Sequence, residues 1–225
     1  YGDYDVDGIC ATSILWLTLK NLGLETVPFI PDRMQHGYGL SIKALEELIP
    51  VHKPSLLITV DNGIVAHSEI EWLKDHRVEV IVTDHHQPSE KLPKTPFLLY
   101  STIISGAAVA WTLARALDRV FSSSLIDLVA LSTISDQMCL TDVNRVLVKA
   151  GLKELARAYR PGIRALLEAS QIEPQNVSVQ VIGYGLAPRI NAAGRISQGM
   201  TALRLLCTAN SASAKRIAQK LNTLN

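Results

Sequence analysis

The chain has too few cysteines, in too irregular a pattern, for a disulfide framework or a structural zinc site. Its three cysteines, Cys10, Cys139 and Cys207, are odd in number and form no CxxC pair. No segment approaches the roughly 18 uninterrupted apolar residues that a membrane-spanning helix needs, and no basic and apolar leader precedes Tyr1. These absences predict a soluble protein of the reducing cytoplasm without a membrane partner.

The chain also lacks a surplus of charge of either sign. It has 22 Lys and Arg residues against 21 Asp and Glu residues, which gives a formal net charge of +1. Domains that bind nucleic acid through its phosphate backbone typically carry a surplus of Lys and Arg. A polyanionic partner would therefore have to be held by a local cluster of basic residues, since the net charge provides no general attraction.

The two ends of the sequence indicate a fragment of a longer protein. The first acidic residue is the third in the chain, whereas a carboxylate at a strand end needs that strand before it. We therefore expect the first strand to be mostly missing or very short. From Ser211 onward the pattern is that of a helix with no Gly or Pro to end it. We expect the catalytic core of a larger protein, cut at both ends.

Strand and helix patterns alternate through the first hundred residues. Strands are predicted at 26–30, 56–60, 78–83 and 97–100, and helices at 11–22, 41–50 and 67–76. The alternation, with strands that are apolar on both faces, predicts an α/β fold in which helices cover both faces of a parallel β-sheet. Helices at 106–121, 125–135, 144–159 and 163–170 predict a helical subregion packed on that sheet.

Three aspartates alternate with other residues at the start of the chain. Asp3, Asp5 and Asp7 precede Gly8, and in an extended segment alternate residues share one face. Three carboxylates that converge on one point repel each other unless a divalent cation neutralises them. The alternatives are a calcium loop and a solvated acidic turn, although the spaced glutamate of a calcium-binding helix-loop-helix is missing.

Further polar residues follow the apolar segments 56–60 and 78–83. Asp61 ends the first, in an Asn-Gly context that would also suit a simple turn, and Asp84, His85 and His86 end the second. Ligands of parallel sheets bind beyond the carboxyl ends of the strands. One imidazole can bind a metal ion while the neighbouring carboxylate orients it, and the other imidazole can face the substrate.

Asp136 follows the apolar segment 128–134 and, taken alone, would be an ordinary helix end. With the three earlier clusters it completes an order that resembles the DHH phosphoesterase superfamily, named after the residues that stand here as Asp84, His85 and His86. Three further segments resemble the RecJ branch of single-strand-specific 5′-to-3′ exonucleases. They are Ile30-Pro31-Asp32-Arg33, Gly37-Tyr38-Gly39-Leu40 and Ala187-Pro188-Arg189-Ile190-Asn191-Ala192-Ala193-Gly194-Arg195.

The resemblance implies a role for each residue of the site. His86 would face the scissile phosphate, Asp84 would orient the histidines, and Asp61 would bridge two metal ions. The metal ligands would be Asp3, Asp5, Asp7, Asp61, His85 and Asp136. The residues that bind phosphate groups would be Arg33, Arg189, Asn191 and Arg195, since guanidinium groups match phosphate oxygens bidentately.

The function implied is hydrolysis of phosphodiester bonds with two divalent metal ions. Carboxylates with at least one imidazole suit Mn²⁺ somewhat better than Mg²⁺, which remains possible. The substrate would be single-stranded nucleic acid, DNA rather than RNA, in DNA repair and recombination; the sequence does not identify a protein partner. Residues 1–210 would form the catalytic domain, with a sheet part at about 1–100 and a helical part at about 105–210, and 211–225 would begin a connecting helix.

Other functions fit similar metal motifs. Within the enzyme class these are an oligoribonuclease, a cyclic-dinucleotide phosphodiesterase and a pyrophosphatase. Outside that class, the chain could be a non-catalytic replication scaffold with a decayed site, but decay normally removes ligands and all six candidate ligands are present.

Overall fold

The first half of the chain builds a three-stranded parallel sheet. The computed structural model describes residues 1–195 and 199–224, apart from the side chain of Arg195. Within the described residues the strand order is β1-β2-β3. The strands are β1 (Leu56–Val60), β2 (Glu79–Asp84) and β3 (Phe97–Tyr100). Three of the four predicted strands are thus confirmed, and β2 extends one residue further than predicted, to Asp84.

The predicted strand at 26–30 is wrong. This segment is irregular in the structure, although the carbonyl of Phe29 accepts a hydrogen bond of 2.9 Å from the amide of Gly2. The residue before Gly2, Tyr1, pairs with β1: its amino group donates to the carbonyl of Ile58, and its carbonyl accepts from the amide of Val60. The neighbour of segment 26–30 is therefore a short stretch that turns away at Asp3, too short to support a strand ladder.

Four helices belong to the first half of the chain: α1 (Val6–Asn21), α2 (Arg33–His36), α3 (Ile42–His52) and α4 (His67–Asp75). The hydroxyl of Ser41 caps α3 by accepting from the amide of Ala44. The prediction that Pro50 ends α3 is wrong, because the helix continues to His52. A proline in the last turn removes a single helical hydrogen bond, which costs less than one in the interior.

Helices make up the second half. They are α5 (Gly106–Leu117), α6 (Arg119–Ser123), α7 (Ile126–Ser135), α8 (Asp142–Arg157), α9 (Pro161–Ala169), a π-helical segment (Val181–Leu186), α10 (Ala187–Arg195), α11 (Gly199–Cys207) and α12 (Ser211–Leu224). The single helix predicted at 106–121 is divided at Asp118, whose carboxylate accepts from the amides of Val120 and Phe121 and so starts a new helix. No helix of the described part is long and apolar enough to cross a membrane.

The sheet carries a hydrophobic core on each face. Leu57, Val80 and Val82 pack with side chains of α3 and α4, whereas Val60 packs with α1, α5, α7 and the later helices. Side chains of α12 belong to that second core, since Ile217 and other apolar residues of the helix are buried in it. The predicted α/β fold, a parallel sheet covered on both faces with a helical subregion against it, is confirmed.

Candidate metal centre

The carboxyl ends of two neighbouring strands deliver polar residues to one edge of the sheet. Asp61 follows β1 directly, and Asp84 is the last residue of β2, so that His85 and His86 lie just beyond the sheet. The two strands are parallel and paired along their whole length. Parallel strands end at the same edge, which is where their ligands bind. The structure therefore brings both sequence motifs together.

The third motif reaches this edge by a route different from the predicted one. The segment 3–7 is not extended throughout, because α1 begins at Val6 and Asp5 is its N-cap, accepting from the amide of Gly8 at 2.9 Å. Asp3 folds back over the first turn of the helix: a Cβ added to Gly8 would lie 2.6 Å from the backbone of Asp3. The three carboxylates therefore do not converge on one point as predicted: ligand atoms of Asp3 and Asp5 lie within 4.8 Å of each other and of Asp61, whereas Asp7 belongs to a group with His85 and Asp136.

His85 lies at the centre of a second group of acidic side chains. Its Nε2 is 3.1 Å from Asp61, 3.4 Å from Asp7 and 3.8 Å from Asp136, measured to the nearest carboxylate oxygen of each. Asp136 follows the last residue of α7, so that helix delivers it to the sheet edge. Asp61 belongs to the first group and also lies 3.1 Å from the Nε2 of His85, which makes it the link between the two groups.

The position of Asp7 depends on contacts that the sequence did not reveal. Its carboxylate accepts hydrogen bonds of 2.7 Å from the amides of Gly106 and Ala107, at the start of α5, and one of 2.6 Å from the hydroxyl of Ser132. Free amides at a helix N-terminus are natural partners of an anion. The signal available in the sequence was Ser105, which caps α5 and is followed by residues small enough for this approach.

Asp84 is held by the two residues that follow it and by the loop after β1. It accepts from the amides of Ile64, His85 and His86 and from the Nδ1 of His86, the last at 2.8 Å. Burial would raise the pKa of Asp84, but the hydrogen bonds from His86 and Ile64 outweigh it and lower that pKa. Asp84 thus remains ionised and orients the imidazole of His86. In the described residues its hydrogen bond with His85 is to the main-chain amide and not to the imidazole.

The remaining predicted residues are less closely grouped. Asn191 accepts from the amide of Val6 at 3.1 Å and so contacts the start of α1, whereas the exposed guanidinium of Arg33 lies 5.2 Å from the ring of Tyr4. The guanidinium of Arg189 instead donates to Asn222 in α12, at 2.7 Å, and to the carbonyl of Gly185. The side chain of Arg195 lies outside the described residues.

The electrostatics of the site resist the ionisation of Asp61, Asp3 and Asp136. Burial raises the pKa of Asp61 well above its ordinary value, and the charges of Asp7 and Asp5 raise it further. Burial, followed by the charge of Asp5, raises the pKa of Asp3 to about 7. Burial, followed by the charge of Asp7, raises the pKa of Asp136 to about 7. In each case a nearby positive charge would favour the ionised form.

The residues fit a divalent cation. Asp61 is 1% exposed, and its Oδ1 makes no hydrogen bond even though the Nε2 of His85 is 3.1 Å away, because the geometry between the two is unsuitable. A buried carboxylate oxygen without a donor is costly. Crowded aspartates with one imidazole form the mixed oxygen and nitrogen donor set that divalent cations take. The arrangement can therefore hold positive charge next to His86.

The raised pKa of Asp136 predicts a pH-dependent effect of substitution. Its carboxyl group holds a proton up to about pH 7 in the folded chain but releases it near pH 3.9 when unfolded, so the wild type loses stability as pH rises through this window. We expect metal-free Asp136→Asn to gain thermal stability relative to the wild type between pH 5 and 8, measured by circular dichroism with a chelator. For the exposed Asp75→Asn control the difference should stay flat, and a flat difference for Asp136→Asn would contradict the shift.

Comparison with known proteins decides the family. The model of the DHH family, N-terminal domain, matches residues 1–133. The chain belongs to the DHH family. Over its whole length it is 38% identical to the single-stranded-DNA-specific exonuclease RecJ of Bacillus subtilis (strain 168), and 39% identical to that of Thermus thermophilus. It covers 30% and 34% of these two proteins, so this DHH chain spans about a third of the curated relatives that it matches.

Solved structures agree with this assignment. The fold matches that of an exonuclease RecJ bound to manganese with a TM-score of 0.90 and 36% identity, over 99% of this chain and 59% of the other. It also matches RecJ from Thermus thermophilus in complex with Mn²⁺, with a TM-score of 0.84 and 35% identity, over 99% and 34% of the two chains. The resemblance of this DHH chain to the RecJ branch is thereby confirmed.

Proposed function

We propose that the chain is the catalytic core of a single-strand-specific 5′-to-3′ exonuclease that hydrolyses phosphodiester bonds of DNA in repair and recombination. The observation that carries the proposal is the meeting of His85 with Asp7, Asp61 and Asp136 at the edge of the sheet, next to His86. The names of the relatives support the substrate class, since they are single-stranded-DNA-specific exonucleases. DNA is accordingly the proposed substrate in preference to RNA.

Two divalent cations are proposed for the site. Asp3, Asp5 and Asp61 would hold one, and Asp7, His85 and Asp136 the other, with Asp61 near both. Bound there, the cations would supply a water of lowered pKa and positive charge against the phosphate. Mn²⁺ is the proposed preference because one ligand is an imidazole, and Mg²⁺ is the proposed second choice, since RecJ structures are described with both ions.

His86 is proposed to act on the scissile phosphate through its Nε2. The hydrogen bond between Nδ1 and Asp84 raises the pKa of His86 and fixes the ring. A protonated ring can donate from Nε2 to a phosphate oxygen and offset part of the negative charge that develops in the transition state. Asp84 would keep the proton on Nδ1 throughout, as the acceptor that orients this histidine.

Four residues are proposed to bind phosphate groups of the strand. Arg33 is exposed beside Tyr4, which lies between Asp3 and Asp5 in the chain, and Asn191 contacts the start of α1. Arg189 would have to exchange its hydrogen bond with Asn222 for a phosphate oxygen. Arg195 follows in the same segment of sequence. Guanidinium groups suit this purpose because they pair bidentately with phosphate oxygens.

The organisation of the whole protein remains part of the proposal. Residues 1–210 are proposed as the catalytic domain and 211–225 as the beginning of a connecting helix. A second domain would then contribute to the grip on the strand. Three free cysteines support a reducing compartment, the cytoplasm, as the proposed location.

A digestion series tests the proposed activity. With Mn²⁺ we expect the chain to release nucleotides from the 5′ end of a single-stranded DNA, and to leave blunt duplex DNA uncut. Cyclic dinucleotides and pyrophosphate should be hydrolysed at least tenfold more slowly than the strand. The products are resolved on gels with 5′-labelled and 3′-labelled substrates, with a chelator as the blank. Faster hydrolysis of the cyclic dinucleotide or of pyrophosphate would instead favour the alternative enzymes.

Metal titration completes that test. Calorimetry should count about two Mn²⁺ per chain, whereas a non-catalytic scaffold with a decayed site would bind none. A stoichiometry of one would overturn the two-ion arrangement without removing the hydrolytic function.

A further inference from the structure

The loop between α2 and α3 carries Tyr38, whose hydroxyl contacts the Nε2 of His86, the nitrogen proposed to act on the scissile phosphate. The hydroxyl of Tyr38 lies 2.8 Å from the Nε2 of His86, and the two rings stand edge to face with their centroids 6.0 Å apart. The Nδ1 of His86 donates to Asp84, so its Nε2 is the nitrogen that faces the hydroxyl, and in the ring with both nitrogens protonated it donates to the hydroxyl oxygen.

The loop that carries Tyr38 has a glycine on each side of an exposed side chain. Tyr38 is 57% exposed, and the glycines on either side of it adopt positive φ angles, 80° at Gly37 and 72° at Gly39. A Cβ added to either glycine would meet nothing within 4 Å, so these glycines are required by the backbone conformation and not by packing. Glycines that flank an exposed side chain over a site are typical hinge positions.

We propose that Tyr38 is a latch on His86 that the substrate displaces, an inference that rests on the proposed nuclease function. The hydroxyl positions the ring with Nε2 toward the entrance of the site, and an anionic phosphate oxygen of the incoming strand then takes its place. The exchange is favourable because an imidazolium binds an anionic oxygen more strongly than the neutral oxygen of a phenol. A ligand without an anionic oxygen at this point would not release the latch.

The substitution Tyr38→Phe separates this role from a direct role in the reaction. Since the strand no longer competes with the hydroxyl, we expect KM for a 5′-phosphorylated single-stranded oligonucleotide to fall about fivefold, the equivalent of one hydrogen bond of about 1 kcal/mol. kcat should stay within about twofold of the wild type. The control is Tyr184→Phe, at a tyrosine that is 86% exposed in the π-helical segment. A fall in kcat, or a KM that is unchanged or higher, would overturn the latch.

A second measurement does not depend on turnover. In the metal-free protein labelled with ¹⁵N-histidine, Tyr38→Phe should move the Nε2 resonance of His86, which is assigned by its loss in His86→Gln. A single-stranded oligonucleotide with phosphorothioate linkages, added to the wild type, should also move that resonance. An unchanged resonance in Tyr38→Phe would overturn the contact. If the wild type cleaves no strand but the resonance moves as expected, the nuclease proposal fails and the contact between Tyr38 and His86 stands.

Discussion

Asp61→Asn should abolish turnover while leaving the metal-free protein at least as stable as the wild type. Asp61 is the buried carboxylate that links the two groups of ligands. Burial first, and then the neighbouring charges, raise the pKa of Asp61, so the metal-free fold resists its ionisation. Asparagine does not ionise, so the metal-free fold gains stability or keeps it. The same change removes the ligand proposed to link both cations. We expect hydrolysis to fall by at least about a thousandfold, or about 4 kcal/mol of transition-state stabilisation.

Asparagine is the proper substitution at this position because of the backbone. Asp61 has a φ of 61°, a conformation that asparagine adopts far more readily than alanine. The measurements are strand hydrolysis, and thermal unfolding with and without Mn²⁺. The rise in unfolding temperature that Mn²⁺ gives the wild type should shrink in Asp61→Asn. Asp75→Asn, at an exposed aspartate, serves as the control. Normal turnover by a folded Asp61→Asn protein would refute the role of Asp61.

The sequence predicts those parts of the fold whose partners are close in the chain or fixed by periodicity. The strands 56–60 and 78–83 are short apolar runs bounded by turn signals, and each has a full-length neighbour in the sheet. The segment 26–30 differs in having Pro28 at its centre, which cannot donate to a strand ladder, and its neighbour Gly2 belongs to a stretch that turns away after two residues. The pattern of residues within a segment does not show how long its neighbouring strand will be, because that length depends on the tertiary structure.

The same distinction applies to the site. The side chains of Asp61, Asp84 and His85 could be placed at one edge because parallel strands end there. The position of Asp5 could not be predicted in this way, because the chain becomes helical directly after it, where the carboxylate of Asp5 accepts from the amide of Gly8. Contacts over long sequence distance, such as the amides of α5 on Asp7, leave no pattern in either segment by themselves.

Gly106→Ala is the second change from which we expect a large loss, although the residue is neither charged nor a proposed ligand. Gly106 is buried at the first position of α5, where its amide donates to Asp7. A Cβ at this position would lie 2.3 Å from the Oδ1 of Asp61 and 2.7 Å from its Cγ, closer than real Cβ atoms come. Asp61 follows the end of β1 and is enclosed, so the carboxylate or the helix must shift.

We expect Gly106→Ala to lower turnover at least about a hundredfold, because a displacement of about 1 Å in a reacting arrangement can cost that much. Overpacking should also lower the free energy of unfolding by about 1–3 kcal/mol. The control is Gly183→Ala, because a Cβ there would meet nothing within 4 Å. Chemical denaturation and strand hydrolysis, each with Mn²⁺ at saturation, measure the two effects separately. If a folded Gly106→Ala protein hydrolysed single strands at the wild-type rate, turnover would not depend on the position of Asp61 against the start of α5, and the geometry of the candidate centre would have to be assigned differently.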